Sequence, residues 1–301
     1  MEPNQARGYI LEFEVKRLLE ESGYVDVKSE RIRGRGANHQ IDSYGILSIP
    51  TAFIYPIRLI SEAKFHSDSI GLPTIRNFVG VIKDISENYF VKSHERSSLR
   101  FTDVGCIFSA SSFTIDAQEY AWAHNIFLVS FSMIELMQQL LTTINESVDS
   151  DQMVKILKDP NKKRRKKERI IESYKKFLKN KEIVYPTLVV GILDNVYPVV
   201  LVGNNGWIKR VVPPRDTDKL DSRKDDRIDN VISGTSQEHI FEIIINEELV
   251  FFNLPHFAAT KILKRIEKNK DKIAEIQIPF KYSNGTSSVR RIISLNVKMQ
   301  I

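Results

Sequence analysis

Cysteine is nearly absent from this chain: Cys106 is the only one in 301 residues. An internal disulfide is therefore excluded, and no Cys/His group has the spacing of a zinc site. Cys106 lies in the apolar run Val104-Gly105-Cys106-Ile107-Phe108, the setting of a buried structural thiol and not of a nucleophile. No stretch approaches the ~20 apolar residues of a membrane span, and the first residues lack a signal-like apolar core. Together these predict a cytoplasmic protein with no membrane partner. Internal repeats are missing too, and Gly34 and Gly36 fall in a loop that no helix follows directly, so they are not a nucleotide fingerprint.

What is present describes an ordinary globular protein, 42% hydrophobic and 27% charged. A chain of 301 residues predicts two domains, each able to bury its own core. Its charge is unevenly placed. Residues 151–182 hold 13 Lys/Arg against 5 Asp/Glu, a balance of +8, whereas the whole chain is +6 and the remainder therefore −2. The excess centres on Lys162, Lys163, Arg164, Arg165, Lys166 and Lys167. Such a block is either a solvated helix face or a phosphate-binding segment.

The spacing of apolar residues predicts a helix over 8–22, from Leu11, Val15, Leu18 and Leu19, stopped by Gly23. Strands are expected over 24–32 and 39–48, the second carrying Asp42, with the Arg33–Asn38 turn between them and a possible extension over 51–54. A further strand over 57–65 precedes a helix opened by Pro73. A charged loop over 94–100, a strand over 104–109, a helix over 114–124, a strand over 126–131 and a helix over 133–144 complete an α/β unit with a mixed sheet. Residues 151–181 read as one helical connector. Beyond it the texture is β-rich: strands over 183–192, 196–202, 207–212, 239–245, 249–252, 275–281 and 289–297, with a polar loop over 213–230 and a helix over 258–268. Asp194-Asn195, Asn204-Asn205-Gly206 and Asn284-Gly285 are turn signals.

The chemistry concentrates in Leu59-Ile60-Ser61-Glu62-Ala63-Lys64. On a strand Glu62 and Lys64 share a face roughly 7 Å apart, and a neighbouring strand bearing Asp42 brings its carboxylate within about 5 Å. Two carboxylates that close repel unless a divalent cation lies between them, and an ammonium beside the cation can position a water. That is apparatus for hydrolysing phosphodiesters. An acid two places before a base arises by chance about five or six times in this composition, so context decides. A lone histidine, His39, lies three residues from Asp42 in a polar stretch and reads as solvated, not as a ligand. Arg31, Arg33 and Arg35 lie near enough to touch phosphates.

The context resembles a known family. Arg7-Gly8-Tyr9-Ile10-Leu11-Glu12, Leu18-Leu19-Glu20-Glu21-Ser22-Gly23-Tyr24, Gln40-Ile41-Asp42 and Glu62-Ala63-Lys64 follow one another as in the Mrr-like branch of the PD-(D/E)xK nuclease superfamily. Downstream, residues 71–85, Phe108-Ser109-Ala110-Ser111-Ser112-Phe113-Thr114 and residues 117–129 resemble that family's later elements, so the likeness spans residues 7 to about 141. Two departures stand out: Ile41 replaces the usual proline, and Glu62 stands where many members carry Gln. Neither removes a ligand.

The resemblance implies a restriction-endonuclease-like α/β fold, a mixed central sheet flanked by helices, over residues 1–148. A basic helical connector over 149–182 and a β-rich α+β domain over 183–301 follow. The last could serve target recognition, dimerisation or sensing. The resemblance further implies Mg2+, replaceable by Mn2+, held by Asp42, Glu62 and the Ala63 carbonyl, with Lys64 acting on the attacking water. Glu12 of the first helix is the fourth catalytic candidate, and Glu14 competes with it because a slip in helix phase exchanges the two. DNA is the implied partner, met by Arg33, Arg35 and Lys162 through Lys167. A homodimer is expected because one such site cuts one strand, and further subunits of a defence system are conceivable partners. The expected function is a Mg2+-dependent DNA endonuclease of restriction or phage defence. Its rivals are a non-catalytic DNA- or partner-binding protein that keeps the fold, an effector nuclease regulated by a ligand or partner, and a branched-DNA resolvase.

Overall fold

Helix α1 (Pro3–Glu21) takes proline in its first turn, where a missing N–H costs no hydrogen bond. Its buried positions are Ala6, Ile10, Leu11, Glu14, Val15, Leu18 and Leu19, two adjacent lines at helical spacing. Each fully buried Leu, Ile or Val contributes roughly 1.5–3 kcal/mol relative to exposure, enough to fix the helix on the sheet. The computed structural model describes residues 2–47, 55–88, 100–159, 165–179, 181–193, 197–204, 239–245, 248–268, 273–283 and 288–298.

Five strands make the N-terminal sheet: β1 (Val25–Lys28), β4 (Ser43–Leu47), β5 (Ile57–Lys64), β6 (Thr102–Ser109) and β7 (Ile126–Ser130), side by side in that order. The β1–β4 and β4–β5 pairs are antiparallel, whereas β5–β6 and β6–β7 are parallel. The sheet is mixed, and helices cover both faces. Leu59, Cys106, Phe108 and Val129 belong to one core with α1 and with α4 (Glu135–Val148). Ile60 and Ile107, one residue along, belong to a second core with α2 (Leu72–Ser86) and α3 (Ile115–Ala123). This alternation is why β5 and β6 read as continuous apolar runs.

Two predicted elements divide. In place of one strand over 24–32 there are β1 and a short β2 (Arg31–Arg33), parted at Ser29-Glu30, and within β1 Asp26 takes a positive φ of 55° where the β1–β4 register shifts. In place of one strand over 39–48 there are β3 (Asn38–Gln40) and β4, and β2 pairs with β3 as a separate hairpin. The connector divides as well, into α5 (Asp151–Lys158) and α6 (Lys166–Leu178). Asp159 is extended, as expected of the residue before Pro160, so α5 cannot continue.

Among the described residues the C-terminal half is a six-stranded antiparallel sheet in the order β10-β11-β9-β8-β12-β13, with one helix. Its elements are β8 (Pro186–Leu193), β9 (Tyr197–Asn204), β10 (His239–Ile245), β11 (Glu248–Leu254), α7 (His256–Lys268), β12 (Ile273–Ser283) and β13 (Ser288–Lys298). The core around α1 does not end at residue 148: it runs on through Met153, Ile170 and Tyr174 to Leu188, Val200, Val202 and Phe251. The predicted extension over 51–54, most of the 94–100 loop, the 207–212 strand, the 213–230 loop and the turns at Asp194-Asn195, Asn205-Gly206 and Asn284-Gly285 lie outside the described residues.

Candidate active site

Asp42 stands on neither strand but at the step where β3 gives way to β4. The residue before it is pinned: the Ile41 N–H donates to the Glu30 carbonyl at 3.0 Å, and the Ile41 side chain is buried. The β4–β5 register pairs Leu47 with Ile57 and closes at Ser43 opposite Ser61, so one further step sets Asp42 against Glu62. The hydroxyls of Ser43 and Ser61 meet at 2.6 Å beneath this point, both buried. Asp42 Oδ2 accepts the Ala63 N–H at 2.9 Å, which ties its carboxylate to the backbone between Glu62 and Lys64.

Glu62 and Lys64 form an ion pair, each side chain 28% exposed, so the pair is open to solvent. They share the face of β5 that carries Ile60, at the carboxyl end of the parallel strands, where Lys64 is level with Ser109 and Ser109 with Ser130. Ligand sites in open α/β sheets favour that edge.

Helix phase separates the two glutamates of α1. Glu14 lies in the buried line with Ile10 and Leu18, fully enclosed, and accepts a hydrogen bond from the Tyr185 hydroxyl at 3.4 Å. Glu12 shares a face with Tyr9 and Lys16. Its Oε2 is 2.5 Å from Lys167 Nζ, which also lies 4.8 Å from the Tyr9 ring centre. Burial holds the Glu12 carboxyl above its ordinary value, opposed by the hydrogen bond from Lys167 and assisted by the charge of Asp42. Burial likewise lowers the Lys16 ammonium, with Lys167 lowering it further and Glu12 and Asp42 opposing. Glu12, Asp42, Lys16 and Lys167 thus lie within one electrostatic neighbourhood. Lys16 was not picked out in the sequence, although its i+4 spacing from Glu12 was there to be read.

The basic residues divide. The Arg33–Arg35 loop is clamped to the end of α2: Asp84 accepts the N–H groups of Gly36 at 2.8 Å and Ala37 at 3.1 Å, and meets His39 Nε2 at 2.7 Å. Arg33 is exposed, while Arg35 pairs with Glu87 at 3.3 Å. Lys162, Lys163 and Arg164 lie outside the described residues. Arg165 is exposed at the start of α6. Lys166 corrects the expectation placed on it: it is buried, and its ammonium donates to the Leu157 carbonyl at 2.8 Å, so it is spent on closing α5. Lys167 is turned to Glu12.

Among the described residues no cluster of three or more His, Cys, Asp or Glu is arranged to hold an ion. The local donors nevertheless suit a hard divalent cation. Asp42, Glu62 and the Ala63 carbonyl supply only oxygen, and one or two carboxylates suffice for an ion that keeps several waters. Each carboxylate already draws a positive or N–H partner, Ala63 N–H for Asp42 and Lys64 for Glu62.

Residues 4–137 match the Mrr_cat family, described as restriction endonuclease. No curated protein sequence matches the chain. Among solved structures, a protein of unknown function designated AF1548 aligns at 19% identity and a TM-score of 0.33, over 56% of this chain and 97% of its own. The DNA modification-dependent restriction endonuclease AspBHI aligns at 13% identity and a TM-score of 0.29, over 60% of this chain and 40% of its own. The family match covers all five strands of the mixed sheet together with Glu12, Asp42, Glu62 and Lys64. Over residues 4–137 this chain is thus similar to the restriction-endonuclease family, and its mixed sheet flanked by helices is an Mrr-like nuclease fold.

Proposed function

We propose that this protein is a Mg2+-dependent DNA endonuclease of a restriction or phage-defence system, working in the cytoplasm as a homodimer. Its division is a nuclease domain over 1–148, a connector over 149–182 and a C-terminal domain over 183–301. The observation that carries the reading is the Asp42 carboxylate hydrogen-bonded to the Ala63 N–H, between Glu62 and Lys64, whose ion pair is open to solvent. Asp42, Glu62 and the Ala63 carbonyl would hold Mg2+, with Mn2+ able to substitute. When bound, the ion neutralises charge on the phosphoryl oxygens and lowers the pKa of its water.

The chain's own residues do the rest. The Ala63 N–H fixes the direction of the Asp42 carboxylate. The Lys64 ammonium, reaching solvent next to Glu62, donates to the attacking water and then to the oxygens that gain charge as the P–O bond breaks. Glu12 faces the same neighbourhood from α1 and accepts a proton from a nearby water. Arg33 and Arg35 flank the approach and meet backbone phosphates.

The test is a cleavage assay of the full chain with Mg2+ on methylated duplex, unmodified duplex and four-way junction DNA, alongside Asp42→Asn and Lys64→Ala. Cleavage is expected from the native chain alone, with DNA retention and folding kept in both variants. Robust cutting by Lys64→Ala would falsify the mechanism. DNA retention without cleavage in Mg2+ or Mn2+ would instead identify a binding protein. A regulated effector nuclease is favoured by one observation, the core shared by α1 and the C-terminal sheet. Activity appearing only with an added ligand or subunit distinguishes it.

A further inference from the structure

Helix α6 lies outside the matched residues 4–137, yet Lys167 of that helix reaches the nuclease site. Its ammonium sits on Glu12 and over the Tyr9 ring, and Lys16 stands one helical turn along α1 from Glu12. Two lysines are therefore held near each other at the edge of an acidic group. Like charges in proximity are kept only where something neutralises them. Glu12 and Asp42 do so here, and the repulsion between the lysines is felt at Lys16.

Glu12 and Asp42 act on Lys16, with Glu20 a further acid beside it, and Glu12 holds Lys167. A divalent cation on Asp42 and Glu62 adds two positive charges beside these lysines, which an incoming phosphodiester, one negative charge per group, is suited to offset. Lys167 has the reach for this, being 45% exposed on its side chain while its partner Glu12 is 17% exposed.

We propose that Lys16 and Lys167 together form a seat for a backbone phosphate of the DNA strand being cut, so that the connector helix completes the nuclease's substrate surface. This rests on the nuclease reading above. Lys167 contributes from beyond the matched domain, which makes binding of the strand depend on α6 being docked on α1. Lys166, one residue earlier, takes no part, because its ammonium is inside.

The experiment measures duplex DNA binding by fluorescence anisotropy in Mg2+, with Lys64→Ala in every chain so that no strand is cut while Asp42 and Glu62 are kept. Affinity is followed from about 50 to 200 mM KCl, the range over which phosphate contacts reveal themselves. Lys16→Gln and Lys167→Gln are each expected to lower the slope of log K against log[KCl], and the double variant by about 1, the one phosphate the pair shares, uniformly across DNA sequences. Lys16→Arg and Lys167→Arg are expected to keep it. An unchanged slope in the double variant overturns the seat, and a lowered melting temperature of Lys167→Gln would then assign its ion pair to pinning α6 alone. Failure of the Lys64→Ala chain to bind DNA also overturns it. Cleavage by the native chain is read separately. If it cuts while the slopes do not move, the seat fails and the nuclease stands; if it does not cut while the slopes fall, the seat survives as a DNA contact and the nuclease reading fails.

Discussion

Glu12 and Glu14, two residues apart on α1, look in opposite directions: Glu12 toward Lys167 and the charge of Asp42, Glu14 into the core beside Tyr185. Two residues on an α-helix are separated by about 200°, so a helix seated by Ile10 and Leu18 must send one inward and the other outward. The expected consequence is a clean division under mutation. Glu12→Gln should lower cleavage about 10- to 100-fold, the range for groups that support a metal site from outside it. Glu14→Gln should leave the cleavage rate within about twofold. Single-turnover rates with Mg2+ test both; equal losses in the two variants would show that the helix phase does not select the functional glutamate.

Glu14 also sets a pH dependence. Burial raises its carboxyl above the ordinary value, opposed by the Tyr174 hydroxyl, by Arg17 and by Tyr185. The folded chain therefore keeps this proton to higher pH than the unfolded chain does. The stability this confers is complete below the unfolded pKa and is lost as pH rises through the folded one. Glu14→Gln removes the loss, so its stability at pH 8 should exceed that of the native chain by on the order of 1 kcal/mol, while the difference narrows toward pH 4. Urea unfolding at the two pH values decides it. A variant less stable at pH 8 would mean that the ionised carboxylate beside Arg17 is a net gain.

Much of this was legible in the sequence where burial alternates simply. Helix α2 carries Ile75, Phe78, Val79, Ile82 and Ile85 on its buried side, and β5 runs from Ile57 to Lys64, as the apolar pattern predicts. The β-rich C-terminal texture was legible for the same reason. What could not be read are features made by contacts distant in sequence. Asp42 reads as a strand residue, but the strand breaks around it because β2 and β3 are drawn away to α2 by Asp84, 42 residues on. Lys166 and Lys167 are chemically identical and adjacent. Only the docking of α6 decides that one closes α5 and the other meets Glu12, 155 residues earlier.

The clamp on the Arg33–Arg35 loop gives a sharp steric prediction. A Cβ at Gly34 would lie 2.1 Å from Asp84 Oδ2 and 3.1 Å from the Asp84 carbonyl carbon. The carboxylate cannot easily swing aside, since it accepts the Gly36 and Ala37 N–H groups and meets His39. Gly34→Ala should therefore cost about 1–3 kcal/mol, as overpacking does. Hydrogen exchange should quicken at Gly36 and Ala37. The His39 contact, with the two N–H groups, holds the Asp84 carboxyl below its usual range. Its contribution is present above the unfolded carboxylate pKa and is lost as pH falls through the lower folded value. Protection at Gly36 and Ala37 should thus fade in acid in the native chain and be weak at every pH in Asp84→Asn. Undiminished protection in Asp84→Asn would place the loop's anchor elsewhere.

Lys166 supplies the last contrast. Its ammonium is buried against the Leu157 carbonyl, at the end of a helix whose last carbonyls lack intrahelical donors. A hydrogen bond from a charged donor to a buried acceptor contributes about 1.5–3 kcal/mol, and removing the donor leaves that carbonyl without it. Lys166→Gln should therefore lower stability by about 1–2 kcal/mol, the shorter amide recovering part of the contact. The salt slope of DNA binding should not move, because a buried ammonium releases no counterion from a phosphate. Guanidinium unfolding and anisotropy on the same preparations check the two halves together. A fallen slope with unchanged stability would mean that α6 turns in solution to present Lys166 to DNA.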